Sequence, residues 1–236
     1  MAPVRRQALV VRGGWRGHRP RESTNLFLPF LAAHGFQTLV EESLEVYEDE
    51  KLLTATDLIV QCWTGGDITA AESAGLAAAV RAGTGLAGWH GGIVDAFRDD
   101  PGYALLVGGQ RVRDVPAPTD QRVTPTPDHA DHPVLSGTGA FDVPSAPYWV
   151  HGDPLNDVLA TVTFDADETR RRPVAVPAVW TRRWGRGRVF VSTVGHGPDE
   201  LRSPPVRGLV ERGLLWAARS TEPRGDTSAV RPPGPC

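Results

Sequence analysis

The chain has 236 residues, of which 40% are hydrophobic; that is enough for one substantial core, and no break in composition divides it. Its formal net charge is −3 and its basic residues, nearly all Arg with Lys51 the sole Lys, are scattered, so no stripe suits a phosphate backbone and nucleic acid is not an expected partner. No apolar run approaches the roughly 20 residues that span a bilayer, which argues against a membrane partner and for a cytoplasmic protein.

In chain order, Ala8 to Val11 reads as a first strand. Asn25 to His34 reads as a helix, with Leu26, Phe27, Phe30 and Leu31 at helical spacing and Gly35 as terminator. Phe36 to Val40 follows as a second strand and Asp57 to Cys62, apolar almost throughout, as a third strand covered on both faces. Thr69 with Glu72 three residues on forms a capping box for an Ala-rich helix that runs to Ala82 and breaks at Gly83 and Gly85. Leu86 to Trp89 is a short strand that runs into His90-Gly91-Gly92, and Ile93 to Arg98 begins a further helix.

From Gln110 to Pro147 the chain is Pro-rich and weakly periodic, which predicts irregular connections with short strands. Strand pattern returns at Asp157 to Phe164, Ala175 to Thr181 and Arg188 to Thr193, with Gly185-Arg186-Gly187 in a hairpin loop of roughly three to five residues. Pro204 to Arg219 is a closing amphipathic helix with Pro in its first turn. The expected organisation is one α/β domain over residues 1–219, with a mainly parallel central sheet, and a disordered tail over 220–236. Cys62 lies in a buried strand and Cys236 at the end of that tail, a placement that suits a reducing compartment rather than a disulfide or a metal knuckle.

In an open parallel sheet the ligand site lies beyond the carboxyl ends of the strands. Those ends carry Gly13, Gly14, Trp15 and His18, then Trp63, Thr64, Gly65 and Gly66, then His90, Gly91 and Gly92, and finally Gly195, His196 and Gly197. Gly88-Trp89-His90-Gly91-Gly92 has the spacing of a nucleophile elbow, with His at the apex where a hydrolase places Ser or Cys. Histidine there serves as base, metal ligand or hydrogen-bond partner more readily than as an acylated nucleophile. The structural alternatives are a tight strand-to-helix turn with a packing histidine at 90 and a capping or surface histidine at 196.

His18 and His151 are further candidates, each equally readable as a loop or turn histidine. His129 and His132 have metal-ligand spacing, but their Pro-rich surroundings read as exposed loop without a third ligand. Trp15, Trp63, Trp89 and Trp149 stand beside the same strand ends; such rings are more often core, yet they also suit stacking on the apolar face of a sugar.

The segments VVRGGWRGHRPRES, DLIVQCWTGGDIT, AVRAGTGLAGWHGGIVDAFRD, YALLVGGQ, YWVHGDPLNDVLAT and GRGRVFVSTVGHGPDEL, in this order, resemble the ThuA-like (trehalose utilisation) family. The resemblance covers the chain up to about residue 219. It implies the class I glutamine amidotransferase-like fold, a flavodoxin-like three-layer sandwich with helices on both faces of the sheet. In true amidotransferases the elbow presents Cys and a later strand presents His with a nearby Glu; here His90 takes the Cys position, His196 resembles the His, and Pro198 stands where the Glu is expected. Glutamine hydrolysis is therefore not expected. The chain also departs from the family's His-Pro pair, reading Gln110-Arg111-Val112-Arg113-Asp114, and from its Glu before Tyr148, reading Ser145-Ala146-Pro147. Asp114 and Ala146 thus stand for either a new specificity or a lost activity.

The leading functional expectation is an enzyme of carbohydrate metabolism, a hydrolase, lyase or isomerase acting on a glycoside or oxidised sugar. His90 and His196 would serve as an acid/base pair, or as ligands of one divalent metal ion with His151 or His18 as third. Trp15, His18, Trp63, Thr64, Trp89, Gly91, Gly92, Trp149 and His151 are the expected substrate-binding residues. The rival is a non-catalytic sugar-binding or regulatory domain. A flavin carrier rests on layout alone and lacks a phosphate-binding loop. Self-association into a homo-oligomer is left open.

Overall fold

The computed structural model of the chain describes residues 6–113, 121–144, 148–168 and 170–220. Residues 221–236 of the expected tail, and with them Cys236, lie outside the described residues, as do Asp114, Ser145, Ala146 and Pro147.

Short runs of apolar, β-branched residues make the central strands, and each stops at glycine or a polar turn at its carboxyl end. β1 (Arg6–Gly14) lies between β2 (Phe36–Glu41) and β3 (Leu58–Thr64), parallel to both. β4 (Gly85–Trp89) is parallel to β3, and every one of its residues is buried, as expected of a strand covered on both faces. The helices between them are α1 (Pro20–Asn25), α2 (Leu28–Ala33), α3 (Glu50–Ala55) and α4 (Ala70–Ala82). α4 starts with the capping box expected of Thr69 and Glu72, and Gly83 ends it at φ 119°.

Beyond β4 come α5 (Gly91–Val94) and α6 (Pro101–Val107), then β5 (Gly109–Arg113), β6 (Gln121–Pro125), β7 (Phe141–Val143), β8 (Trp149–Gly152), β9 (Asp157–Phe164), β10 (Val174–Trp184) and β11 (Gly187–Ser192). α7 (Pro198–Arg202) and α8 (Pro204–Ala217) close the fold. One sheet has the order β2-β1-β3-β4-β11-β10-β9-β6-β7, and β5 pairs with β8 in a separate two-stranded sheet. β11 is parallel to β4, whereas β10, β9, β6 and β7 add on antiparallel, so the sheet is mixed and its parallel half carries the four strand ends of interest.

The three layers follow from strand periodicity. Phe190 of β11 packs where a side chain on Gly213 of α8 would stand, while Gly187, three residues away and on the opposite face, leaves room for Val80 of α4. α4 and α8 therefore cover opposite faces of the same strand.

Four local expectations are corrected. Asn25 to His34 is not one helix but the end of α1 and all of α2, because Pro29 cannot donate to a carbonyl one turn earlier and so sits in a first turn of its own. Ile93 to Arg98 does not begin a helix: α5 ends at Val94 and Phe97 takes φ 47°, which turns the chain away. α6 was not anticipated, although Asp100 caps it by accepting from the Tyr103 N–H at 2.7 Å, Pro101 opens it and Gly108 closes it at φ 81°. The hairpin loop is shorter than expected, since β10 runs on to pair Trp184 with Gly187 and leaves only Gly185 and Arg186 between the strands.

Cys62 is buried in β3, and burial pushes its thiol up to about 12. In a Cys236→Ser variant, a chromogenic disulfide reagent is expected to find no reactive thiol in the native protein and one after denaturation. Fast native-state labelling would show that β3 opens far more readily than its burial implies.

Candidate functional site around three histidines

His90 stands at the apex of the β4-to-α5 turn with φ 48° and ψ −144°, a region that non-glycine residues seldom occupy and that costs about 1–3 kcal/mol. The turn is held from both sides. The His90 N–H donates to the Ser192 carbonyl of β11 at 2.6 Å. Beneath it, Tyr103 Oη donates to the Ile93 carbonyl at 2.9 Å, Gln61 Nε2 donates to Tyr103 Oη, and Tyr47 Oη donates to Gln61 Oε1 at 3.1 Å. A buried and fully connected polar network of this kind fixes one arrangement of the turn.

His18 comes from the short 3₁₀ turn Arg16–His18 that follows β1, and the Trp15 N–H, donating to the Thr64 carbonyl at 2.9 Å, ties that turn to the end of β3. His18 Nδ1 is hydrogen-bonded to Thr64 Oγ1 at 2.9 Å. His196 follows β11 on a loop shaped by Gly195 at φ 106°, whose N–H donates to the buried Glu200 carboxylate at 2.6 Å. Glu200, two residues beyond Pro198, is thus the acidic group that positions this loop.

The three rings converge. His18 and His90 have ring centroids 4.8 Å apart, His90 and His196 4.8 Å, and His18 and His196 4.9 Å, with interplanar angles of 90°, 90° and 86°. One ring nitrogen of each lies within 4.8 Å of those of the other two. His18 and His90 are buried and His196 is exposed at the rim. Burial, with the neighbouring imidazoles and Arg111 adding to it, holds His90 well below the usual imidazole range; burial and His196 bring His18 down to about 4 despite the opposing pull of Asp95. Both rings are therefore neutral at pH 7. His90 Nδ1 is buried and has no hydrogen-bond partner among the described residues.

Around this floor stands a cavity of about 730 Å³, within the size range of small-molecule sites. Trp15, 58% exposed, packs edge-on against His18 with ring centroids 4.6 Å apart. Tyr148 lies over His90 with ring centroids 4.0 Å apart, and the Arg111 guanidinium sits 4.5 Å above the Tyr148 ring. Asp95 receives Arg111 at 2.5 Å on one oxygen and Arg98 on the other. Trp15, His18, Thr64, His90 and His196 all line this cavity.

A family model described as ThuA, trehalose utilisation, matches residues 7–217. The chain belongs to the ThuA family. Among solved structures it is similar to a ThuA-like protein from Bacteroides uniformis, at 19% identity over 91% of this chain and 92% of that one with a TM-score of 0.71. It is also similar to a ThuA-like protein from Parabacteroides merdae, at 15% identity over 94% of each chain with a TM-score of 0.69. A cytoplasmic protein from Salmonella typhimurium follows at 13% identity over 91% of this chain and all of that one, with a TM-score of 0.64. No curated protein matches the sequence. At these identities the structures establish the α/β fold, and the family ties this ThuA protein to carbohydrate utilisation.

Not every residue expected at the site reaches it. Trp89 points away from His90 into the core against Phe27, because successive strand residues face opposite sides of the sheet. Trp63, next to Thr64, turns away for the same reason and lines a separate cleft with Arg12 and Glu42. Trp149 packs on Phe164, and His151 is exposed on β8 beside Pro101 and Leu105, away from the other histidines, so it does not supply a third ligand. Gly92 serves packing: a side chain there would press on Cys62. Gly91 does shape the site, since a Cβ on it would lie 2.5 Å from His18 Cε1 and 3.1 Å from Tyr148 Oη. His129 and His132 are not the exposed loop expected: both are half-buried at short 3₁₀ turns, with His132 packed against Trp216 and neither lining the cavity. Asp95, Arg98 and Arg111 were missed as site residues; the first two follow the elbow closely and Arg111 is brought over it by β5, a placement without a sequence signature.

Among the described residues no helix is long and apolar enough to cross a membrane.

Proposed function

We propose that this ThuA-family protein is an enzyme acting on a glycoside or an oxidised sugar in the pocket floored by His18, His90 and His196. The observation that carries this reading is the exposed Trp15 indole standing beside two neutral, buried imidazoles in one cavity. A pyranose offers an apolar C–H face that stacks on an indole and hydroxyl edges that hydrogen-bond to imidazole, Tyr148 and the Arg111–Asp95 pair. A neutral imidazole accepts a proton from a hydroxyl or from carbon next to a carbonyl. We assign that role to His90, which burial keeps neutral. With His at the elbow, glutamine hydrolysis has no thiolate nucleophile.

The test is incubation of the purified chain with trehalose, other disaccharides and their keto derivatives, with products followed by NMR and glutamine as a negative control. Turnover abolished by His90→Ala supports the reading. Saturable sugar binding without turnover moves the protein to the class of sugar-binding domains, and no interaction with any carbohydrate removes the proposal. Trp15→Ala, a surface change that leaves the fold intact, is expected to weaken sugar binding about tenfold through lost stacking, measured as KM or Kd.

A further inference from the structure

We propose that His18, His90 and His196 together bind one divalent transition-metal ion, zinc first among them, as three nitrogen ligands with a further coordination position open to the pocket. The proposal rests on the reading of this pocket as the reactive one and replaces the proton-accepting role of His90 with metal ligation, since a ring nitrogen bound to the ion has no free lone pair. Three neighbouring histidines are by themselves compatible with aromatic packing; what distinguishes a metal site is the cost of their arrangement and the polar atom it leaves unsatisfied.

Two local costs meet at His90. Its backbone is held at positive φ, and its Nδ1 is buried without a partner in a side chain only 3% exposed. A buried polar atom left unpaired is unfavourable by about 1–3 kcal/mol, and a metal ion bound at that atom would remove the cost. The three rings stand at nearly equal separations and nearly perpendicular to one another, the disposition of three imidazoles around a common centre. Metal–nitrogen bonds of about 2.0–2.1 Å in a tetrahedral site put the nitrogens roughly 3.4 Å apart. Their present limit of 4.8 Å closes with side-chain movement on the order of 1 Å.

The surroundings match as well. Thr64 Oγ1 on His18 Nδ1 orients that ring and leaves its Nε2 for the ion, the outer-shell arrangement usual for a metal-bound histidine. The ligand set decides the ion. Asp95, the nearby carboxylate, is already held by Arg98 and Arg111, so the cluster offers nitrogen and no anionic oxygen. Such a set favours zinc or a neighbouring first-row ion over magnesium or calcium. Three protein ligands with an open position is the pattern of a catalytic rather than a structural zinc site. The opening faces Tyr148 and the cavity.

The untagged full-length chain, stripped with a chelator, is titrated with Zn²⁺ against a chromophoric competitor, and with Co²⁺ for its visible spectrum. We expect one zinc per chain, Co²⁺ bands of four- or five-coordinate nitrogen ligation, and affinity reduced on the order of 100-fold in His90→Ala and in His196→Ala. A His129→Ala/His132→Ala control should bind as the parent does. His196 is exposed, so its variant keeps the test valid if His90→Ala fails to fold. Absence of stoichiometric zinc, or uptake that His196→Ala leaves unchanged, overturns the proposal. Carbohydrate turnover by the stripped protein, lost in His90→Ala, with no zinc uptake, overturns the metal and keeps the pocket. Site-specific zinc uptake with no response to any carbohydrate supports the metal and removes the sugar reading.

Discussion

Trp180→Ala is expected to destabilise the protein by about 3–5 kcal/mol, a large part of the roughly 5–15 kcal/mol that holds a typical domain folded. Trp180 is fully buried in β10, and its Nε1 donates to the Val107 carbonyl at 2.9 Å, where α6 ends. Its ring also lies against Gly109, at the start of β5. Truncation therefore removes the packing and leaves a helix-terminal carbonyl without its donor at the junction from which β5 carries Arg111 over the pocket. Trp180→Phe retains most of the ring and should cost less, roughly 1–3 kcal/mol, mainly the unsatisfied carbonyl. Urea unfolding of both variants checks the order; both lose the Nε1–H donor, so equal losses would mean that the ring packing retained by Phe contributes nothing.

Gly91→Ala is expected to disable the pocket while leaving the fold almost untouched. The added methyl group would stand 2.5 Å from His18 Cε1 and 2.9 Å from its Nδ1, so the ring must swing out and give up its bond to Thr64 Oγ1. The backbone of Gly91 is helical and accepts alanine without strain, which confines the damage to His18 and Tyr148. Zinc affinity, measured by chelator competition, should fall on the order of 10–100-fold, the usual effect of losing the group that orients a metal-bound histidine. The thermal midpoint should move by no more than a few degrees. Zinc binding equal to that of the parent would mean that His18 is not held where the structure has it.

The strand ends were legible in the sequence because a buried parallel strand is a largely apolar run with glycine at or within three residues of its end, and β1, β3, β4 and β11 follow that pattern. The rule that ligands gather beyond such ends led to His18, His90 and His196, which the structure brings together. It did not say which way a side chain points. Trp63 and Trp89 are each one residue from a pocket residue, and alternation along a strand turns both away. Arg111 comes from the start of the Pro-rich middle and Tyr148 from just beyond its end, and the weak periodicity between them hid the pairing of β5 with β8. Pairing between strands that far apart in sequence is decided by tertiary packing, not by local pattern. Glu200 escaped for a subtler reason: it supports His196 through the Gly195 N–H, so an acidic partner sought beside the imidazole itself was sought in the wrong place.

The pairing of β5 with β8 in a sheet of their own also separates the floor of the pocket from its opposite wall. The histidines are rooted in the parallel core, where β1, β3, β4 and β11 brace one another and the elbow is clamped from two sides. The opposite wall, with Arg111 and Tyr148, hangs on an appendage of two short strands outside that lattice. The floor of the pocket and its opposite wall thus belong to different sheets.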